Sequence, residues 1–389
     1  MWLRGGTYYL PQTLAFTPED SGTKKTPVTY AAFPGEEPVI SGGTRLRLTW
    51  TPYRDGILMA RVPAGLHSDQ LFVNGKRQTL ARYPNYDPTA AYFNGWSPDA
   101  FSKERIHAMH RNMWGDFHYV ITGKDASGNV TYEGGWQNNR RMGMHDKYRF
   151  VENIFDELDA PGEWYLDEKT ATLYFYPPAG IDLKTATVEA VRLRHLIEFR
   201  GSEGRPVQWV QLRGLTLRHA ARTFMDNREP LLRSDWTVYR GGAILLTGAE
   251  DCVLEELFID QVGGNAIFVN NHNRRIVIRR SHIADAGGNG VAFVGDPGAV
   301  RNPLFEYNRA AEPQRHRPYA RAEDRQLSCP MPDRGLADRT DWSRGKADCP
   351  GGDFHVARHH RAALLHLRRA ARGYQHLRGH LGRPRDRIQ

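Results

Sequence analysis

The chain has 389 residues, 40% of them hydrophobic, with nine Trp, 17 Tyr and 16 Phe, enough for a large core and a second module. No run reaches the roughly 18 apolar residues of a membrane-spanning helix, so no membrane partner is expected. The net charge of +9 resides entirely in residues 309–389, which hold 17 Arg, one Lys, seven Asp and two Glu; residues 1–308 are neutral and carry no charge signature of nucleic-acid binding.

The first residues read as strands, not as a cationic and apolar leader, as if the chain began in mid-fold. Met1–Leu10 is a strand broken at Gly5-Gly6, and Pro27–Phe33 and Pro38–Gly43 are the next strands. A cap over the first strands is not apparent. Residues 51–190 follow another rule. Asn74-Gly75 after Leu71-Phe72-Val73 predicts a type I′ hairpin, and Trp164–Tyr176 predicts a second hairpin turning about Asp167–Thr170. Between them lies a polar stretch with Trp96, Trp114, Trp136, His107, His110, His118 and His145. This region reads as an inserted antiparallel, sandwich-like β module. Its histidines read as surface residues without metal spacing. Cys252, Cys329 and Cys349 give neither a disulfide framework nor a zinc motif, and Cys252 reads as a small buried hydrophobe. No metal and no cofactor are expected.

From about Val191 a repeat emerges. Val262–Val269 (VGGNAIFV) recurs as Ala286–Val294 (AGGNGVAFV). Ile244 matches Ile267, Ile267 matches Val291, Ile259 matches Ile283 and Val253 matches Ile276, at spacings of 23 or 24 residues. Short β-branched runs split by Gly-Gly at this period predict an all-β, right-handed parallel β-helix, a solenoid in which like residues stack about 4.8 Å apart. Trp209–His219 aligns with the runs beginning at Cys252 and Ile276. Asn265 and Asn289 align as a stacked ladder. Residues 220–240 are a long excursion from one turn, where binding residues gather on such scaffolds.

After Asn308 the composition changes. Val, Ile and Thr number 14 in residues 242–301 but three in residues 309–389, which contain no Asn. Strand propensity stops without a linker. Arg, Ala, His, Pro, Gly and Leu replace it, as expected of a shifted reading frame. Synonymous codons from Arg358, read one base later, can spell ITVRHCSIYDVPRAGINIS, which fits Ile276–Val294 without a gap. The domains predicted are 1–50 (first coils), 51–190 (insert), 191–308 (further coils) and 309–389 (an Arg-rich, irregular or helical tail). A basic amphipathic helix binding nucleic acid is the competing reading of that tail.

Leu3–Leu10, Pro34–Gly43, Phe72–Pro84 and Phe150–Asp167 resemble bacterial carbohydrate-active right-handed parallel β-helix proteins of the pectin-lyase-like superfamily, notably glycoside hydrolases with an inserted β-sandwich. The resemblance covers residues 1–308. It implies an extracellular or periplasmic enzyme acting on plant or microbial polysaccharide such as xylan, fucosylated glycan or pectin, with catalytic carboxylates in later coils. Because those coils are replaced here, the resemblance implies an inactive form. A non-catalytic carbohydrate binder is the alternative. A lyase would need a stacked Asp cluster for Ca²⁺, which is not seen beside Arg274, Arg275, Arg279 and Arg280.

Glycoside hydrolysis needs two carboxylates flanking one bond. Asp260 and Asp285 are close in the repeat, but Asp260 aligns with Ala284 and Asp285 with Gln261. A one-residue offset turns strand side chains to opposite faces. The candidates for catalysis are therefore Asp226 and Glu229 on the excursion, with Asp285 behind them. Trp236 and Tyr239 are candidates for stacking on sugar rings, and Asn271 and His272 for lining the same face. Solvated loop residues and turn polarity are the plainer accounts of these positions.

Overall fold

The computed structural model describes residues 1–100, 105–109, 115–137, 140–141, 143–226 and 238–296. The expected tail at 309–389 lies outside them, as do Glu229 and Trp236. The described chain is all-β apart from two short 3-10 turns.

Three parallel sheets carry the repeat. Sheet I contains Trp2–Leu3, Val28–Ala32, Val210–Arg213, Val253–Glu255 and Val277–Arg279. Sheet II contains Gly6–Tyr9, Pro38–Ser41, Thr216–Ala220, Phe258–Val262 and His282–Ile283. Sheet III contains Leu14–Phe16, Ile197–Arg200, Ile244–Glu250, Ile267–Arg274 and Val291–Val294, with Val207–Gln208 beside the third of these. From Val207 to Val294 the chain visits I, II and III in turn and adds one parallel strand to each. Columns of like residues result. Ile197, Ile244, Ile267 and Val291 are in register on sheet III, beside Phe16, Phe199, Leu246 and Val269. Ile40, Leu217, Ile259 and Ile283 do the same on sheet II. Apart from Val291, which is 39% exposed, these columns meet in one apolar core, which carries the stabilisation that no single strand could supply.

The corners explain both the period and the Gly-Gly pairs. Trp209, Asp251 and Arg275 have φ of 55°, 54° and 54°, and His219, Gln261 and Asp285 have φ of 62°, 56° and 45°. One left-handed residue turns the strand at each of these corners, and the turn recurs from one repeat to the next. A Cβ on Gly263 would lie 2.5 Å from the Arg222 nitrogen, and one on Gly264 would collide with Thr223 Oγ1. Glycine there lets the chain at Ala221–Thr223 lie against this segment. One expected match shifts: Val253 pairs with Val277, not Ile276. The register slips between Thr247/Asn270 and Ala249/Asn273, where an extra residue lengthens the later strand. Likewise Val210, not Trp209, precedes the strand residue opposite Val253.

Between Pro38–Ser41 on sheet II and Ile197–Arg200 on sheet III, the pairing turns mostly antiparallel. Gly43–Leu46 pairs with Val188–Val191, which pairs with Leu71–Val73; that strand forms a hairpin with Lys76–Arg77 through Asn74 and Gly75 at φ of 50° and 73°. Glu163–Asp167 and Thr172–Phe175 form the second expected hairpin. A further antiparallel sheet joins Arg82–Tyr83, Arg149–Glu152, Arg105–Met109, Asp116–Lys124 and Val130–Gly134. His107 is 5% exposed, against the expectation of surface histidines. It stacks on Phe150 and its Nδ1 lies 2.6 Å from His118 Nδ1. Burial, helped by the neighbouring His107 and Arg222, pushes the His118 imidazole well below its ordinary range. Arg222, on the excursion root, donates to Glu152 and, at 2.9 Å, to Asp69. This ion cluster ties the antiparallel sheet to sheet II.

Candidate functional site

The two described ends of the excursion lie against the turn before Ile197–Arg200, the second strand of sheet III. Asp226 closes one end and pairs with Arg194 at 2.8 Å. Tyr239 opens the other, and its hydroxyl lies 2.8 Å from His195 Nε2. His195 Nδ1 lies 2.5 Å from Glu198 Oε1, and Arg200 donates to Glu198 Oε2 at 2.6 Å. An ionised carboxylate only accepts, so a neutral His195 places its proton on Nδ1 and accepts the Tyr239 hydroxyl at Nε2. Burial pushes the Glu198 carboxyl up, but the bonds from His195 and Arg200 outweigh it and hold it below its ordinary range. Burial, reinforced by the Asp226 charge, raises the Tyr239 phenol.

Strand alternation places these groups. Ile197 and Phe199 point into the core, so Glu198 and Arg200 point outward. The His195 carbonyl accepts from Thr13 Oγ1 at 2.8 Å, which fixes the turn before the strand. Asn265, 4% exposed, donates to the Tyr239 and Gly241 carbonyls at 2.9 and 2.8 Å. The same side chain accepts from the backbone and side chain of Asn289, both at 2.9 Å. The Asn ladder legible in the repeat therefore anchors the far end of the excursion. A Cβ on Gly241 would collide with both His195 Nε2 and the Tyr239 ring.

Arg240 extends this surface along sheet III. It donates to Asn270 Oδ1 at 2.7 Å, Asn271 Oδ1 at 3.1 Å and the Gly295 carbonyl at 2.9 Å. Asn271 thus lies beside Arg240. His272 does not: it is buried, with Nε2 3.1 Å from Glu250, which also pairs with Arg275. The odd bulge residue turns His272 away from Asn271.

Asp285 belongs to a different place. It lines an open cleft of about 520 Å³ with Gln261, Pro178 and the hairpin residues Gly75, Lys76, Arg77 and Gln78. Asp260 is 7% exposed and faces Arg218 at 3.3 Å. Register holds Asp285 opposite Gln261, as the repeat required. Among aromatic candidates, Trp96 packs edge-on against Tyr148 within the antiparallel region, and Trp114 lies outside the described residues. Among the described residues no group of three or more His, Cys, Asp or Glu converges as metal ligands do. The structure brings the expected Asp226 and Tyr239 against Arg194, His195 and Glu198, and Asn271 against Arg240, none of these partners being named from the sequence. Arg194, His195 and Glu198 carry no sequence signal beyond their place at the turn before Ile197–Arg200, while Arg240 lies on the excursion itself.

Among solved structures, the chain is similar to one described as "Glycoside hydrolase", with a TM-score of 0.63 and 21% identity over 76% of this chain and 60% of that one. The likeness is one of fold, and the chain spans about 60% of that neighbour's length. A second, "The complex structure of XylC with xylose", aligns over 70% of this chain and 36% of that one, with a TM-score of 0.36 and 15% identity. No protein-family model and no curated protein matches the sequence.

Proposed function

We propose that residues 1–50 and 191–308 are coils of a right-handed parallel β-helix, with 51–190 as an inserted module, and that the protein acts on polysaccharide. The ligand is a plant or microbial glycan of the xylan, fucoside or pectin type, held across the foot of the excursion. One arrangement carries this reading: Asp226 and Tyr239 lie against Arg194 and His195 beside Glu198 and Arg200, and Arg240, next to Tyr239 in the chain, bonds Asn270 and Asn271. Planar amides, guanidinia and a half-buried phenol suit ring hydroxyls and sugar faces. The fold neighbour described as a glycoside hydrolase supports a carbohydrate ligand.

Binding without chain cleavage is the favoured form. Inverting and retaining mechanisms both need two carboxylates directed at one glycosidic bond. At this face Asp226 is paired with Arg194 and Glu198 with His195 and Arg200. Calorimetric titration of the intact chain with xylan, pectin and fucosylated oligosaccharides, alongside reducing-sugar release, tests the reading. Saturable binding of at least one glycan without reducing-sugar release is expected. No binding to any of them would overturn the proposal, and rapid chain cleavage would overturn its non-hydrolytic form.

A further inference from the structure

Glycan binding leaves the order of groups at this face unexplained. We infer that Glu198, His195 and Tyr239 form a general-base relay that hydrolyses O-acyl esters carried on the bound glycan. The glycan carrier rests on the function proposed above; the relay rests on its own geometry.

Connectivity is the first argument. The carboxylate holds Nδ1–H at 2.5 Å, and the hydroxyl donates to the opposite nitrogen at 2.8 Å. Acyl hydrolases require this order: an acid orients the imidazole, and the free ring nitrogen takes a proton from a hydroxyl. The chain contains a useful contrast. Ser41 and Glu189 both face His219 Nδ1, at 3.0 and 3.8 Å, and Ser41 is wholly buried. One nitrogen cannot serve both partners as a relay, so that set is structural. At the excursion foot, the His195 and Glu198 side chains each keep 15% exposure.

Room and rigidity form the second argument. Any side chain at position 241 would displace both His195 and Tyr239, and Asn265 pins the backbone on either side of Arg240. Arg194, paired with Asp226, lends positive charge beside the phenol.

The chemistry selects the bond. Glycosidic cleavage needs groups on both sides of the sugar, whereas acyl transfer uses one base to take and return the same proton. A water O–H breaks and its proton passes to Tyr239 Oη, as the phenol's own proton moves to His195 Nε2. The water oxygen's electron pair forms a bond to the acyl carbon, and the carbonyl π pair moves onto its oxygen. Collapse of that intermediate breaks the bond to the sugar oxygen, which receives the proton back from His195 through Tyr239. Ester and water become a carboxylic acid and a sugar hydroxyl, with no co-reactant.

The test measures acetate release from acetylated xylo-oligosaccharide and from 4-nitrophenyl acetate by the intact chain. Tyr239→Phe and His195→Ala should each lower kcat/KM by about 100-fold or more without moving the melting temperature. Glu198→Gln, which positions the imidazole, should lower kcat, shift the pH profile and leave KM in place. Acetate release by the native chain no faster than by Tyr239→Phe would overturn the relay. Oligosaccharide binding without release sinks the relay but keeps the glycan reading. Release from 4-nitrophenyl acetate alone, without oligosaccharide binding, keeps the relay and sinks the glycan carrier.

Discussion

Replacing Arg222 by Met should loosen the antiparallel sheet from sheet II. Methionine keeps much of the aliphatic volume and removes the charge. Arg222 bonds Asp69 and Glu152, while His107 Nε2 lies 3.0 Å from Glu152 and Arg105 lies 3.3 Å from Asp69. Glu152 is 7% exposed. Removing one partner of a buried ion pair costs about 3–5 kcal/mol. Arg105 remains, so a loss of about 3 kcal/mol is expected, or about 6–12 °C in Tm. The pH dependence sharpens the test. Burial would push the Glu152 carboxyl up, but Arg222 and His107 outweigh it and hold the carboxyl well below 4.5. In the native protein its contribution is therefore present above about pH 4.5 and fades on acidification through the lower folded value. In Arg222→Met, burial loses its main counterweight, and the variant's deficit grows as pH rises from about 4 to 7. Thermal melts by circular dichroism at both pH values measure this. A loss under about 2 °C, or a deficit that does not change with pH, would refute the reasoning.

Three further outcomes are expected. Burial pushes the Glu163 carboxyl up to about 7. The folded state then holds the extra proton between about pH 4.5 and 7, so this group's contribution falls as pH rises; Glu163→Gln should stabilise by up to roughly 3 kcal/mol at pH 8 and little at pH 4.5, measured by urea unfolding. Gly264→Ala should cost about 1–3 kcal/mol by collision with Thr223, and adding Thr223→Ala should recover part of it. The Cys252 thiol is wholly buried and pushed up to about 12, so site-resolved alkylation at pH 8 should modify it only after unfolding.

The parallel pairing of the repeats was legible because its signal is local and recurs. Ile244, Ile267 and Val291 sit one period apart, and the structure pairs them. The Asn74-Gly75 hairpin was legible because its turn needs residues that accept positive φ. Register failed at Val253 because a bulge adds a residue without a compositional mark. The Arg222 cluster was illegible for another reason: its partners at 69, 105, 107 and 152 meet only after the antiparallel region docks. Part of the candidate face was visible because a long excursion from a regular turn invites function. His195 and Glu198 were not, since a His and a Glu three residues apart carry no pattern until Tyr239 folds back on them.

Hydrogen exchange of the intact chain, with and without saturating oligosaccharide, tests the central claim most directly. Protection concentrated in residues 194–200, 238–241 and 270–273 is predicted. Protection confined to the hairpin at 75–78 and to Asp285, or no protection with any glycan, would contradict the account.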